Sequence, residues 1–166
     1  MATRRLTEFL DGHRVKYVIV HHSPAFTAQE VAASSHISGH RMAKTVVVKI
    51  DHEFALAVVR ATDDVDMLLL SDVAGTSNCE LAAQDEFVDR FEGCEIGAIP
   101  PFGTIFGLPT YVDTELSKEA VIAFNAGSHS AVAVMDWPDY RRLARPKIAS
   151  IAFEPSTAAS QPWLTL

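Results

Sequence analysis

The chain has 166 residues, 48% hydrophobic and 21% charged, with a formal net charge of −7. That length supports one core and not two independent ones, and the acidic balance argues against a nucleic-acid binder working through a broad basic surface. No apolar run approaches the roughly 20 residues of a membrane span, so no membrane partner is expected. Arg4 and Arg5 have no apolar segment behind them, which reads as a cytoplasmic protein, and Cys79 and Cys94, without a C-x-x-C pair, read as reduced thiols.

Taken in order, Thr3 to Gly12 reads as a short helix, with Leu6, Phe9 and Leu10 at helical spacing and Gly12 at its end. Tyr17 to His21 reads as a strand, broken by His21-His22-Ser23-Pro24. Thr27 and Glu30 then form a capping box, with Phe26 and Val31 placed as a hydrophobic staple, so a helix is expected to about Ser35. Gly39 turns the chain into its plainest strand, Ala43 to Ile50. Alternation puts Lys44, Val46, Val48 and Ile50 on one face and Thr45, Val47 and Lys49 on the other. Lys49 assigns the second face to water. Lys44 is then half-buried at the strand's mouth, either as a stem reaching to the surface or as a poised cation.

Asp51-His52-Glu53 predicts a loop of about three residues and an antiparallel partner over Phe54 to Arg60, with Lys44 at the open end. Asp66 is placed to cap a helix over Met67 to Val73, and Gln84 to Phe91 has the spacing of a short amphipathic helix. After a Gly/Pro-rich passage from Gly93 to Gly107, strands are expected at Pro109–Val112, Val121–Phe124 and Ala131–Met135. Asp136 and Pro138 open a last helix to about Ala144. Ile148 to Phe153 reads as a final strand. A single domain over residues 1–155 with a loosely ordered tail over 156–166 is the expected organisation.

The chain has no phosphate-binding G-x-x-x-x-G-K-[ST], no G-x-G-x-x-G, no H-E-x-x-H and no G-x-S-x-G. His36 and His40 have the spacing of a metal pair, but Ser38 and Gly39 between them make a continuous helical face doubtful, so neither metal nor cofactor is expected. Asp63-Asp64-Val65-Asp66 lacks the spacing and glycine of a calcium loop and reads as a solvated turn with a helix cap. Two glycine-bearing stretches remain. Gly97-Ala98-Ile99-Pro100-Pro101-Phe102-Gly103 is either a tight connection or a loop whose backbone approaches a ligand, while Asn125-Ala126-Gly127-Ser128-His129 reads as a small flexible turn suited to hydrogen-bonding a polar substrate.

Thr27-Ala28-Gln29-Glu30, the Lys44–Lys49 strand, Gly97–Gly103, Leu108–Asp113 and Ala126–His129 occur in an order and spacing that resembles the YbaK/ProX-like aminoacyl-tRNA deacylases. These include the free-standing relatives of the prolyl-tRNA synthetase editing domain. The resemblance covers roughly residues 15–150. It implies an α+β fold, a mixed and largely antiparallel β barrel flanked by helices, with one pocket. It also implies hydrolysis of the ester joining a wrong, small amino acid to tRNA.

Carried over by position, Lys44 matches the family's essential lysine, and Gly97, Ala98, Ile99, Pro100, Phe102 and Gly103 match its substrate loop. Gly127, Ser128 and His129 match its second pocket loop, and Phe26 matches a pocket position ahead of the first pocket helix. Pro100 stands where many members have Ser or Thr, so no hydroxyl role transfers there. The implied partners are the acceptor end of aminoacyl-tRNA and an aminoacyl-tRNA synthetase; DNA is not expected. With 14 Lys and Arg against 21 Asp and Glu, the tRNA footprint is expected to be confined to the acceptor end, at the mouth around Lys44 with His40 and Arg41 as further contacts. The alternative is a non-catalytic module of the same fold that binds an aminoacyl group or nucleotide or associates with a synthetase, with a plain small-ester hydrolase as a third reading.

Overall fold

The computed structural model describes residues 3–23, 32 and 37–155. The expected capping box at Thr27 and Glu30, its staple residues Phe26 and Val31, His36 and the tail 156–166 lie outside the described residues. A first helix, α1, spans Arg4–Gly12 and buries Leu6 and Leu10. Strands follow at β1 (Tyr17–His21), β2 (Met42–Ile50), β3 (Glu53–Arg60), β4 (Asp64–Val65) and β5 (Cys79–Leu81). After these come β6 (Thr110–Asp113), β7 (Val121–Ser128), β8 (Ala131–Asp136), β9 (Lys147–Ala149) and β10 (Ala152–Phe153).

The β2–β3 hairpin is the centre of the sheet, paired from Ala43 opposite Arg60 to Ile50 opposite Glu53. Its turn holds two residues, not three: Asp51 and His52 both take left-handed backbone, with φ of 50° and 69°. A two-residue turn of that hand matches the twist of the flanking strands. Thr76 supports it by donating to the Asp51 carboxylate at 2.8 Å.

The main sheet runs β1-β8-β7-β2-β3-β6-β9, with β5 paired to the far end of β2. Pairings β2–β7, β3–β6 and β6–β9 are parallel and the others antiparallel. The sheet is mixed and curled into a half-barrel, flanked by α1 and by helices at Met67–Ala74 and Trp137–Ala144. Among the described residues no helix is long and apolar enough to cross a membrane.

Both faces of β2 are packed, which alters the sequence expectation for Lys49. Val47 joins Leu56, Phe87, Phe91 and Ile99 on one face, while Val48 joins Leu70 and Ile151 on the other. The Lys49 side chain is therefore only 19% exposed and is held by Glu80 and Glu86, whose hydrogen bonds raise its pKa. A charged residue reached a covered face because two carboxylates from other segments meet it there.

Asp66 caps the Met67–Ala74 helix, its side chain accepting from the Leu68 and Leu69 amides. The helix expected over Gln84 to Phe91 stops at Phe87, although Phe87 and Phe91 both remain buried with ring centroids 5.8 Å apart. Asp136 occupies the cap of the last helix without a capping side-chain hydrogen bond. The final strand divides: β9 pairs with β6 and β10 with β4. Between them the Ile151 amide donates to the buried Asp113 carboxylate at 2.9 Å.

Candidate active site

Lys44 begins on the one strand that connects the two halves of the sheet. β2 runs parallel to β7, with Met42 beside Ala123 and Ala43 beside Phe124. The next step along both strands puts Lys44 beside Asn125, and alternation turns both side chains to the face where Met42, Ala61, Ala123 and Val132 pack. The Lys44 side chain is 26% exposed, and its Nζ donates to the Asp64 carboxylate at 3.0 Å.

Residues 125–128 are not a flexible turn. They extend β7, and a register shift against β8 between Asn125 and Ser128 marks a bulge, with Gly127 at φ 91°. Only the pair after Ser128 turns the chain. A bulge re-aims side chains locally, and the left-handed residue is the place where glycine is required. A Cβ at Gly127 would overlap the Thr3 side chain, because the Thr3 amide donates to the Ala126 carbonyl at 2.8 Å and lays the start of α1 across the strand.

The second glycine stretch is stitched to this bulge at its beginning. The Glu95 amide donates to the Gly127 carbonyl at 2.8 Å, and the His129 amide donates to the Glu95 carboxylate at 3.2 Å. His129 Nε2 lies 2.8 Å from the Ile96 carbonyl, which makes that nitrogen the protonated one. Asn125 Nδ2 donates to the Gly97 carbonyl at 3.4 Å, while its Oδ1 is buried with no hydrogen-bond partner among the described residues. Gly97 itself is exposed at φ 85°, its α-carbon side facing the His129 ring. Ser128 is buried, with its hydroxyl 3.5 Å from that of Ser130.

The rest of the Gly97–Gly103 stretch goes into the core. Ile99 packs with Val47 and Phe106, and Phe102 sits among Phe9, Phe124 and Tyr140 at centroid distances of 5.0 to 5.6 Å. Both rest against the Ala43 and Val47 face of β2, opposite the Lys44 face. Ala98 and Pro100 are buried, and the Pro101 carbonyl accepts from Tyr140 Oη at 2.7 Å. Gly103 opens a one-turn helix, Gly103–Phe106, and its amide donates to Thr110 Oγ1 at 2.9 Å. A Cβ there would overlap the Leu108 carbonyl and the Thr110 hydroxyl, so this glycine answers to internal packing. Phe26 lies outside the described residues.

The cations around the mouth are matched to acids. Arg41 approaches Glu119 at 3.6 Å, and Arg60 makes a two-point pair with Asp63 at 2.7 and 3.2 Å. His40 Nδ1 lies 3.2 Å from the Arg60 guanidinium, a poor neighbour for a metal ion. Asp63, Asp64 and Asp66 thus serve Arg60, Lys44 and a helix cap in turn. Burial pushes the Cys94 thiol up to about 11, which removes it as a nucleophile near neutral pH. Sequence reasoning missed Asn125, Asp64 and Glu95. A polar side chain inside the small apolar run Val121–Ala126 was the available signal for Asn125; Glu95 carried none.

Residues 22–143 match the aminoacyl-tRNA editing domain family. The chain belongs to that family. The Ser/Thr-tRNA deacylase ProXp-y of Escherichia coli is 28% identical over 152 residues, covering 89% of this chain and 90% of the relative. A proline–tRNA ligase of Bacillus cytotoxicus is 35% identical over 75 residues, which is 45% of this chain and 13% of the ligase. A solved structure described as a trans-editing enzyme for prolyl-tRNA synthetase superposes with a TM-score of 0.76 at 22% identity, covering 90% of this chain and 96% of that one. The half-barrel is the fold of this editing domain.

Proposed function

We propose that the protein is a trans-editing deacylase that hydrolyses the ester of a mischarged aminoacyl-tRNA bearing a small amino acid. The observation that carries this reading is the parallel pairing of β2 with β7, which ends one residue before Lys44 and Asn125, together with the ties from the β7 bulge to Gly97 and Ile96 through Asn125 and His129. Family membership and the ProXp-y relative supply the chemistry that fits this arrangement.

The reaction needs water to attack the ester carbonyl, the tRNA ribose oxygen to leave with a proton, and charge to be stabilised at the carbonyl oxygen in between. Lys44 provides that charge. Its pair with Asp64, a carboxylate more than half exposed, is worth about 0–1 kcal/mol, so the ammonium exchanges readily onto a substrate oxygen. Gly97 and His129 form the opposite wall, and the buried Asn125 Oδ1 is an acceptor suited to a substrate N–H or O–H. Ala61 and Ala123 keep the Lys44 face shallow, which favours small side chains. The partners are the acceptor end of tRNA and a synthetase that releases the misacylated product, in the cytoplasm.

The test is single-turnover amino acid release from tRNAs carrying Ser, Thr or Ala, with Lys44→Ala as control. Release from at least one, lost in the variant, is expected. Release from none would overturn the reading in favour of a binding module.

A further inference from the structure

The α1 helix carries the chain from the bulge at Gly127 to a second surface. Thr3 is bonded to Ala126, and nine residues at about 1.5 Å each place His13 roughly 14 Å farther on. There a cleft of about 380 Å³ opens between the end of α1 and the Trp137–Ala144 helix, lined by Phe9, His13, Thr104, Arg142, Leu143 and Arg145. Thr104 Oγ1 donates to the Leu143 carbonyl at 3.0 Å and closes its floor.

The charge of this surface runs against that of the molecule. Residues 4–16 and 141–147 hold eight of the 14 Lys and Arg residues but only two of the 21 Asp and Glu. Arg142 meets Asp139 at 3.2 Å, both partly exposed, whereas Arg14, Arg141 and Arg145 have no ion-pair partner among the described residues. His13 Nδ1 is taken by the Phe9 carbonyl at 2.8 Å. Elsewhere Arg41, Lys44, Lys49, Arg60 and Lys118 are each paired with an acid. Arg142 and Arg145 line the cleft, and the exposed Arg14 and Arg141 stand next in the chain to its lining residues His13 and Arg142. Such a basic surface on an acidic protein is suited to an anion, and guanidinium forks suit phosphate.

We propose that this basic cleft binds the phosphate backbone of tRNA, at a surface separate from the Lys44 face that takes the acceptor end. The proposal rests on the reading that the protein acts on aminoacyl-tRNA. It replaces the expectation of a footprint confined to the mouth, where the cations are already matched.

The experiment compares wild type with Arg142→Glu/Arg145→Glu in the cleft, and with Arg14→Glu/Arg141→Glu on the exposed surface next to it in the chain, each checked by melting temperature. Affinity for uncharged whole tRNA is measured against salt. A drop in affinity of about tenfold or more, with the salt slope reduced by about 2, is expected from losing two phosphate contacts. Deacylation of whole charged tRNA should show raised KM at unchanged kcat, while an aminoacyl ester of a short 3′-terminal oligonucleotide is turned over as by wild type. Unchanged tRNA affinity and slope in both folded double variants would overturn the proposal, whatever the activity. If wild type releases no amino acid yet its tRNA affinity depends on these arginines, the deacylase reading fails and the cleft stands.

Discussion

The mouth of β2 and the cleft at the end of α1 are both basic, and they differ in how their charges are held. At the mouth Lys44, Arg41 and Arg60 each face a carboxylate, and His40 leans on Arg60. At the cleft Arg145 faces solvent, as do Arg14 and Arg141 next to its lining residues. A matched cation is positioned and weakly committed, which suits a group that must act at one atom. An unmatched cluster raises the local potential and suits a polyanion. On the two proposals made above, acting on an ester and holding a nucleic acid belong to different surfaces of the molecule.

The largest effect expected from breaking this division is at the mouth. Lys44→Ala should remove about 3 kcal/mol of transition-state stabilisation, roughly a hundredfold in kcat, with an unchanged melting temperature and a tRNA affinity lowered by a few-fold at most. A rise confined to KM would move Lys44 from the carbonyl oxygen to a phosphate. Gly103→Val tests the other side, because Gly103 sets the helix that carries Thr104 into the cleft wall. Overlap with Leu108 and Thr110 should cost about 1–3 kcal/mol of stability, read as a lower denaturant midpoint. A stable variant with impaired KM would return this glycine to the substrate.

Tyr140→Phe loosens the tie between the cleft's helix and Pro101. Losing a buried hydrogen bond should cost about 1–2 kcal/mol near neutral pH. Burial raises the Tyr140 phenol well above its ordinary value of 10.0. Its contribution is therefore fully present below pH 10.0 and falls above it, as the unfolded chain ionises while the folded one does not. Alkaline unfolding curves of wild type and variant should converge above that pH; parallel curves would show that the phenol ionises equally in both states. The smallest effect belongs to Asp64→Asn, which releases Lys44. tRNA affinity at low salt should rise by a few-fold at most, since the pair is exposed. A large fall in kcat instead would make Asp64 a positioning residue for the ammonium.

Local patterns were enough for α1, β1, the β2–β3 hairpin, β6, β8 and the helix at Trp137, because each depends on alternation, helical spacing or a cap within its own few residues. The ordered series of short stretches from Thr27 to His129 was enough for the family. Lys44 was visible as a half-buried lysine at a strand's end. Its partner Asp64, the neighbour Asn125 and the link from Glu95 to Gly127 were not, since each is a contact between segments whose register no local pattern specifies.

The sequence by itself determined that this is an acidic chain of α+β fold with a lysine at the mouth of its central strand. Tertiary structure decided which side chains meet that lysine, and it divided the Gly97–Gly103 stretch into a site end at Gly97 and a core end at Phe102 and Gly103. It also decided that His13 and Arg145, more than a hundred residues apart, share a cleft. The physical reason is the same in each case. Hydrogen bonding along a strand and spacing along a helix are local, whereas the parallel β2–β7 pairing and the packing of α1 against the last helix are set by long-range burial, which brings charges together without leaving a periodic trace in the chain.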